Sequence, residues 1–159
     1  MHLAQLNVAH LRAPIDAPEL ATFVALLEPL NDLAESSPGF VWRLKESEED
    51  PTATVTHDFG DLLLVNFSVW ESPDALWDYV YRSGHLAALH RRREWFLRVA
   101  EPYSVLWWIP EGRTPTLAEA MRRLERLRTE GAGPEAFTFK ERYASNEAAH
   151  LPAAAEARK

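Results

Sequence analysis

The stretch from residue 62 to residue 70 constrains the fold of this chain more than any other segment. It reads Leu-Leu-Leu-Val-Asn-Phe-Ser-Val-Trp, and so short an apolar run is typical of a strand that is buried on both faces. Only Asn66 and Ser68 interrupt it, and side-chain alternation along a strand places both on the face of Trp70. A helix start follows at Ser72-Pro73-Asp74, with a capping hydroxyl, a proline suited to the first turn and an acid that complements the helix dipole. The sequence therefore predicts a central buried strand that leads directly into a helix.

Hydrophobic periodicity extends this prediction along the rest of the chain. Alternating apolar residues predict strands, and apolar residues at three- and four-residue steps predict helices. Pro29 lies inside the first predicted helix, where it is expected to cause a kink near Glu28. Residues 46–60 are polar and acidic and are interpreted as a loop. The predicted strands cover residues 3–11, 40–46, 62–70, 103–110 and 136–140, and the predicted helices cover residues 19–35, 72–83, 85–100 and 117–130.

This order of elements predicts an α+β fold of the ferredoxin-like β-α-β-β-α-β kind, followed by an extra C-terminal α-β unit. In the second strand, Phe40, Trp42 and Leu44 are expected to share one face. The 159 residues fit a single domain, assigned to residues 1–141, and the Ala- and Glu-rich residues 142–159 are expected to form a disordered tail. The helices of the ferredoxin-like unit are expected to cover one face of the sheet. No further helix is expected to cover the other face well. Burial of that face by a second copy predicts a homodimer in the form of a dimeric α/β barrel.

Charge and residue usage exclude several classes of function. The formal net charge is −7, which disfavours nucleic acid as a partner because phosphate binding needs a basic surface. The chain has no cysteine, so disulfides, thiolate catalysis and Cys-ligated metal sites are excluded. No signal-peptide pattern follows Met1, and no apolar run approaches the roughly 20 residues that a membrane span needs. A cytoplasmic protein without a membrane partner is the expectation.

Specific motifs surround the central strand and the helix that follows it. The segments Ser68-Val69-Trp70-Glu71-Ser72, Ala75-Leu76 and Ser83-Gly84-His85-Leu86 resemble the strand–helix signature of the antibiotic-biosynthesis-monooxygenase superfamily, with about one extra residue before Ser83. The resemblance covers about residues 3–140 and extends to a bacterial family of unknown function within that superfamily. The other segments that fit that family are Phe40-Val41-Trp42-Arg43-Leu44, Arg91-Arg92-Arg93-Glu94-Trp95-Phe96, Leu106-Trp107-Trp108-Ile109-Pro110 and Ala136-Phe137-Thr138-Phe139.

The resemblance implies a dimeric α/β-barrel fold, but it leaves the chemistry open. The superfamily contains cofactor-free oxygenases, haem-degrading and haem-dependent enzymes, isomerases and proteins with no assigned activity, and a shared fold does not imply a shared reaction. Haem-degrading relatives have an Asn on the first strand and an aromatic residue and a His on the second helix. Asn7, Tyr79 and His90 are the positions that could match, although the extra residue before Ser83 turns the helical side chains by about 100°.

Four polar side chains alternate along two of the predicted strands. Gln5 and Asn7 share a face of the first strand, and Asn66 and Ser68 share a face of the third. Amide groups placed in this way could line a cavity and stabilise a developing enolate or peroxide. The alternative is that the four groups bond to one another or to a buried water. We therefore treat Asn7 and Asn66 as candidate catalytic residues, and Gln5 and Ser68 as candidate substrate-binding residues.

Among the histidines, His85 is the candidate catalytic residue. It follows Gly84 at an expected helix break, where a side chain can be directed into a pocket, and its ordinary pKa suits proton transfer near neutral pH. The alternative is a capping or surface histidine. A haem role through His85 or His90 stays open, but no cofactor is the first expectation. No His-x-x-x-His motif or carboxylate pair is present to indicate a metal site.

Aromatic residues are abundant, with six Trp in the chain, and most are expected to pack in the core. Trp70, Tyr79, Tyr81 and Trp107 are the candidates for the wall of a binding site for a flat apolar ligand. Trp107 and its neighbour Trp108 must point to opposite faces of their strand.

The only basic cluster contains Arg91, Arg92, Arg93 and Arg98. Three consecutive arginines spread over about 200° of a helix, so a solvated face is the first interpretation. A spacing of four residues allows Arg91 to meet Trp95 and Glu94 to meet Arg98. The alternative is that one of the arginines reaches the pocket and holds a carboxylate or phenolate of the substrate.

Three functions remain open from the sequence. The first is a cofactor-independent, monooxygenase-like enzyme for an apolar or aromatic substrate of polyketide or quinone type, in which His85 moves protons while Asn7 and Asn66 hold an oxyanion. The second is a non-catalytic protein that binds a small hydrophobic ligand or haem in the same pocket. The third is a dimeric interaction protein whose barrel is filled by its own side chains.

Overall fold

The strands form one antiparallel sheet in the computed structural model, which describes residues 1–45 and 62–149. The sheet order is β2-β3-β1-β4, which is the ferredoxin-like order, and β1 and β3 occupy its centre. The central strand behaves as its composition predicts, since all of its residues except Asn66 are buried. The strands are β1 (His2–His10), β2 (Phe40–Arg43), β3 (Leu63–Trp70) and β4 (Ser104–Ile109).

The helices occur in the order that the ferredoxin-like pattern predicts, with one addition before β4. The helix start at Ser72 was predicted correctly, because its side chain accepts a hydrogen bond from the Ala75 amide. Thr116 begins a later helix in the same way, with its side chain accepting from the Glu119 amide. Pro29 lies inside the first helix, which continues past it to its end at Ser36. The helices are α1 (Ala21–Ser36), α2 (Pro73–Arg82), α3 (His85–His90), α4 (Leu117–Glu130) and α5 (Ser145–Ala149), with 3-10 turns at Pro18–Leu20 and Arg92–Glu94.

The two faces of the sheet are covered by different helices. The front face carries the odd-numbered residues of β1 and the even-numbered residues of β3, and it packs against α1 and α2 through Leu3, Trp70 and Leu76. The back face carries the alternate residues, and it packs against α4 through Leu6, Leu124 and Leu127. Both faces are therefore buried by elements of the same chain.

The position of α4 corrects the expectation that no further helix would cover the second face. Its apolar stripe, which includes Ala120, Leu124 and Leu127, is buried against β1 and β4. The bare face that suggested a homodimer is therefore absent from the described part of the chain. A homodimer stays a prediction, and light scattering tests it because one chain has a mass of 18.1 kDa.

The segment after α2 differs most from the sequence prediction. A single helix over residues 85–100 was wrong, because α3 ends at His90 and the chain turns at Arg92–Glu94. The backbone then pairs with the end of β1, where the Arg12 amide donates to the Trp95 carbonyl and the Leu97 amide donates to the His10 carbonyl. Trp95 is buried there, so tertiary packing outweighs local helix preference.

Three smaller differences concern the ends of elements and the C-terminal part. The predicted strand over residues 136–140 is reduced to an isolated bridge between Phe137 and Leu106. Residues 145–149 form α5, although disorder was expected from residue 142. The loop predicted over residues 46–60 and the last ten residues of the tail lie outside the described residues.

A bulge in β2 also overturns the expected alternation of that strand. Phe40 pairs with Trp70, and the register shifts before Trp42 pairs with Val69. Phe40 therefore packs on the front face, in edge-to-face contact with Trp70, whereas Trp42 packs on the back face against Phe67. A bulge inserts one residue and so reverses which side chains share a face.

Candidate active site

A cavity of about 150 Å³ lies between the front face of the sheet and the helices α1 and α3. A protein cavity of about this volume can hold a single benzene ring. Most of the residues that line it are apolar, and polar and charged side chains lie among them, a combination that small-molecule sites use. The described residues that line it are Asn7, Ala9, Phe23, Leu27, Leu30, Asn31, Arg43, Leu44, Leu64, Val65, Asn66, Phe67, Tyr79, His85, Ala88, Leu89, Arg92, Trp95 and Phe96.

Two amide side chains from the centre of the sheet line this cavity. Asn7 of β1 and Asn66 of β3 are direct partners in the antiparallel register, so their side chains leave the sheet side by side on its front face. Asn66 is exposed although the rest of β3 is buried, and Asn7 is half-buried, which shows that the cavity opens to solvent here. Within residues 1–45 and 62–149, neither amide side chain has a hydrogen-bond partner. Both are therefore available to a ligand.

The helix break at Ser83-Gly84 brings His85 to the cavity as predicted. Its Nδ1 lies 3.1 Å from the Val80 carbonyl oxygen, and a carbonyl can only accept, so Nδ1 carries the proton. Nε2 is then the basic nitrogen of the neutral ring. Burial lowers the pKa of His85 below the ordinary histidine value, although the hydrogen bond to Val80 opposes this shift. His85 is thus neutral near pH 7 and can accept a proton.

Tyr79 forms part of the wall next to His85, with 4.9 Å between the ring centroids. Its hydroxyl donates to the Leu30 carbonyl at 3.1 Å, and its ring stacks on Trp70 at 5.2 Å. Burial raises the pKa of Tyr79 to about 12, and the charge of Arg43 acts in the opposite direction. Tyr79 is therefore a neutral phenol whose hydroxyl proton is held by the Leu30 carbonyl.

Two arginines line the cavity, and neither was among the predicted site residues. Arg43 reaches the front face because of the bulge in β2, and its Nε donates to Glu35 at 2.7 Å. That hydrogen bond is the main cause that lowers the pKa of Glu35, so this pair is ionised. Arg92 comes from the turn after α3, and its Nη1 donates to the Tyr103 hydroxyl at 2.7 Å. The run of arginines was the sequence signal for Arg92, whereas the bulge that directs Arg43 has no clear signal in the sequence.

The family described as Domain of unknown function (DUF3291) matches residues 2–154, which is nearly the whole chain. The chain belongs to the DUF3291 family. No curated protein matches this DUF3291 chain.

Three solved structures are similar to this DUF3291 chain at low sequence identity. Rv0793 from Mycobacterium tuberculosis superposes with a TM-score of 0.52 at 16% identity, over 72% of this chain and 100% of that one. SnoaB, a cofactor-independent oxygenase from Streptomyces nogalater, gives a TM-score of 0.49 at 16% identity over 69% and 94% of the two chains. The monooxygenase ActVA-Orf6 of Streptomyces coelicolor, in complex with Nanaomycin D, gives 0.42 at 16% identity over 72% and 92%. The superposition on Rv0793 confirms the ferredoxin-like α+β fold, and it is informative about the fold alone.

The other polar candidates of this DUF3291 chain form a closed network beside the cavity. The Ser68 hydroxyl donates to Gln5 Oε1 at 2.9 Å, and the Trp70 indole N–H donates to the Ser68 oxygen at 2.9 Å. Gln5 also donates from Nε2 to the Asn66 carbonyl at 3.4 Å. All three residues are buried, and none of them lines the cavity. Gln5 and Ser68 therefore hydrogen-bond to each other, whereas Asn7 and Asn66 line the cavity.

Three further candidates are also placed away from the cavity. His90 is exposed at the last position of α3, since its side chain points to solvent when His85 faces inward. Tyr81 packs on the outer side of α2, with 4.3 Å between its ring and that of Trp77. Trp107 is fully buried on the back face, 5.8 Å from the Phe67 ring, while Trp108 lies on the front face as its neighbour must.

Two negative results apply to the described residues of this DUF3291 chain. Residues 1–45 and 62–149 contain no group of three or more His, Asp or Glu side chains placed to hold a metal ion. In the same part of the chain, no helix is both long enough and apolar enough to cross a membrane.

The arginine cluster divides between solvent and cavity. Arg91 lies over the Trp95 ring at 5.1 Å, as its spacing predicted, but Glu94 pairs with Arg91 at 2.8 Å instead of with Arg98. Arg93 is exposed. Of the three consecutive arginines, only Arg92 lines the cavity. The cluster is therefore a solvated surface at Arg91 and Arg93, and it reaches the pocket at Arg92.

Proposed function

We propose that this chain is a small-molecule enzyme of monooxygenase-like type that acts on an enolisable aromatic compound in the cavity. One observation carries the proposal: the Val80 carbonyl holds the Nδ1 proton of His85, which leaves Nε2 as a base at the cavity. Asn7 and Asn66 add amide groups that no described side chain engages. Removal of a proton next to a carbonyl requires a neutral base and hydrogen-bond donors for the oxyanion that forms. His85 would supply the base, and the two amides would supply the donors.

The proposed reaction begins with proton transfer. His85 Nε2 removes a proton from a CH2 group next to a carbonyl, and the amide N–H groups of Asn7 and Asn66 donate to the enolate oxygen that forms. The enolate carbon then reacts with O2, so that the CH2 group becomes C=O and one molecule of water is released. The methylene carbon supplies all four electrons that reduce O2. The reaction therefore balances with O2 as the only co-substrate, and the resemblance to the monooxygenase superfamily favours that acceptor.

The size of the cavity narrows the class of substrate. A volume of about 150 Å³ matches one aromatic ring, so a polycyclic polyketide or quinone would leave its remaining rings outside. A porphyrin has four pyrrole rings, and His90, one of its two candidate ligands, lies outside the cavity. These observations favour a single-ring substrate over haem.

Deuterium exchange into phenylacetone tests the proton-transfer step directly. Phenylacetone carries one ring and an acidic CH2 group next to a carbonyl, and proton NMR follows the loss of its methylene signal in heavy water. The protein is expected to accelerate the exchange, and His85→Gln should lower that acceleration about 100-fold or more, the usual contribution of a general base. His90→Gln is the matched control on the same helix, since His90 is exposed and does not line the cavity.

The outcomes separate the competing functions. Exchange that is unchanged in His85→Gln removes the acid–base role. Binding of phenylacetone by titration calorimetry, with no exchange and no oxygen uptake at an oxygen electrode, supports a non-catalytic binding protein and overturns the enzyme proposal. Loss of exchange in Asn7→Ala and Asn66→Ala with binding retained supports oxyanion stabilisation by the amides.

A further inference from the structure

The described residues that line the cavity differ in charge from the chain as a whole. The formal net charge is −7, yet the described residues that line the cavity include two arginines and no Asp or Glu. A cationic cleft with low-dielectric walls concentrates anions of small molecules. Arginines in the cavity of an acidic chain therefore indicate that the ligand is an anion.

Arg92 is the arginine that is placed to meet such an anion. It is half-buried, its guanidinium carbon lies 4.5 Å above the Tyr103 ring, and its Nη1 donates to the Tyr103 hydroxyl at 2.7 Å. Within residues 1–45 and 62–149, no carboxylate pairs with it. Its neighbour Arg91, by contrast, is paired with Glu94 at 2.8 Å, and Arg43 is paired with Glu35 at 2.7 Å.

The contacts of Arg92 with Tyr103 orient the guanidinium without neutralising it. A phenol holds one N–H and the ring lies under the group, so its position is set before a ligand arrives. Among the N–H groups that remain, the one on Nε and one on Nη2 lie side by side and form one edge of the planar fork. That edge matches the two oxygens of a carboxylate.

We propose that the ligand of this cavity is a single-ring aromatic carboxylate, and that Arg92 selects it by pairing with the carboxylate group. The ring occupies the apolar part of the cavity, which is formed by residues such as Phe23, Leu27, Leu89, Trp95 and Phe96. This inference deepens the proposed function by naming the class of its substrate. It rests on the same cavity, but not on the proton transfer by His85.

A matched pair of ligands tests this selection. Phenylpyruvate and phenylacetone share the ring, the CH2 group and the carbonyl, and they differ only in a carboxylate that replaces a methyl group. The wild-type chain is expected to bind phenylpyruvate at least 10-fold more tightly in titration calorimetry, and this preference should weaken as salt is added. Arg92→Gln should remove about 10- to 100-fold of the affinity for phenylpyruvate and leave that for phenylacetone unchanged, because only the charged hydrogen bonds are lost.

Arg93→Gln is the control, since Arg93 lies in the same turn but is exposed and does not line the cavity. Arg92→Lys retains the charge without the fork, and an intermediate loss of phenylpyruvate affinity is expected from it. Equal weakening of both ligands by Arg92→Gln would mean that Arg92 only supports the fold, and a wild-type chain that does not prefer phenylpyruvate would overturn the proposal.

Failure of the proposed function gives a different pattern. Selective phenylpyruvate binding that depends on Arg92, without acceleration of deuterium exchange in either compound, supports the inference and refutes the enzymatic role. Exchange of phenylacetone that depends on His85, with no preference for the carboxylate, refutes the inference and supports the enzymatic role.

Discussion

Gly39 connects α1 to β2 at a point where the structure leaves no room for a side chain. Its φ is +80°, and a Cβ added there would lie 2.5 Å from the Cβ of Ala75 on α2. Real Cβ atoms essentially never approach so closely. The replacement Gly39→Ala therefore has two separable costs, one from the backbone conformation and one from the contact with α2.

The expected magnitude follows from these two costs. A left-handed backbone costs a residue with a Cβ about 1–2 kcal/mol, and forcing an extra methyl group into a packed contact costs about 1–3 kcal/mol. Their sum predicts that Gly39→Ala lowers the free energy of unfolding by about 2–5 kcal/mol, measured by urea denaturation. The matched control is Gly112→Ala, because Gly112 has a φ of +77° but nothing within 4 Å of the added Cβ. Gly112→Ala should lower the free energy of unfolding only by the cost of the left-handed backbone, about 1–2 kcal/mol.

A double-mutant cycle with Ala75→Gly isolates the contact. Ala75→Gly alone should cost about 1 kcal/mol, the usual price of glycine in a helix. In the double variant, Ala75→Gly removes the Cβ that clashes with the methyl group added by Gly39→Ala, so the double variant should be more stable than the sum of the two single losses predicts. The coupling energy between the two sites is therefore expected to be favourable. Equal losses in Gly39→Ala and Gly112→Ala, together with no coupling to Ala75, would refute the steric explanation.

Three further predictions concern the residues behind and beside the cavity. Ser68→Ala leaves the fully buried Trp70 indole N–H without its acceptor and should cost about 1–3 kcal/mol in urea denaturation; an unchanged midpoint would contradict the network. Because burial lowers the pKa of His85, the wild-type chain should lose stability relative to His85→Gln as the pH falls below about 6.5 towards the depressed pKa, where the unfolded state binds the proton first. Parallel pH profiles of the two proteins would argue against a buried neutral ring. Because the pKa of Tyr79 is raised to about 12, the wild-type chain should lose stability relative to Tyr79→Phe as the pH rises from about 10 to about 12, and thermal unfolding at alkaline pH measures the difference.

Much of the fold and part of the site could be predicted from local patterns. Alternation along the strands placed Asn7 with Gln5 on one face of β1, and Asn66 with Ser68 on one face of β3, because side-chain direction in a regular strand depends only on counting by two. The antiparallel register of the structure then brought Asn7 and Asn66 together. The break at Gly84 placed His85 correctly for a similar reason, since helix caps and breaks are encoded within a few residues.

The sequence by itself determined the order of strands and helices, the faces of the central strands and the candidate base. Only the tertiary structure decided that α4 covers the back face, that Gln5 and Ser68 close a network with Trp70, and that Arg43 and Arg92 line the cavity. The physical reason is the range of the interactions. Periodicity and capping act over a few neighbouring residues, whereas the bulge that directs Arg43 and the turn that directs Arg92 depend on pairing and packing with distant strands.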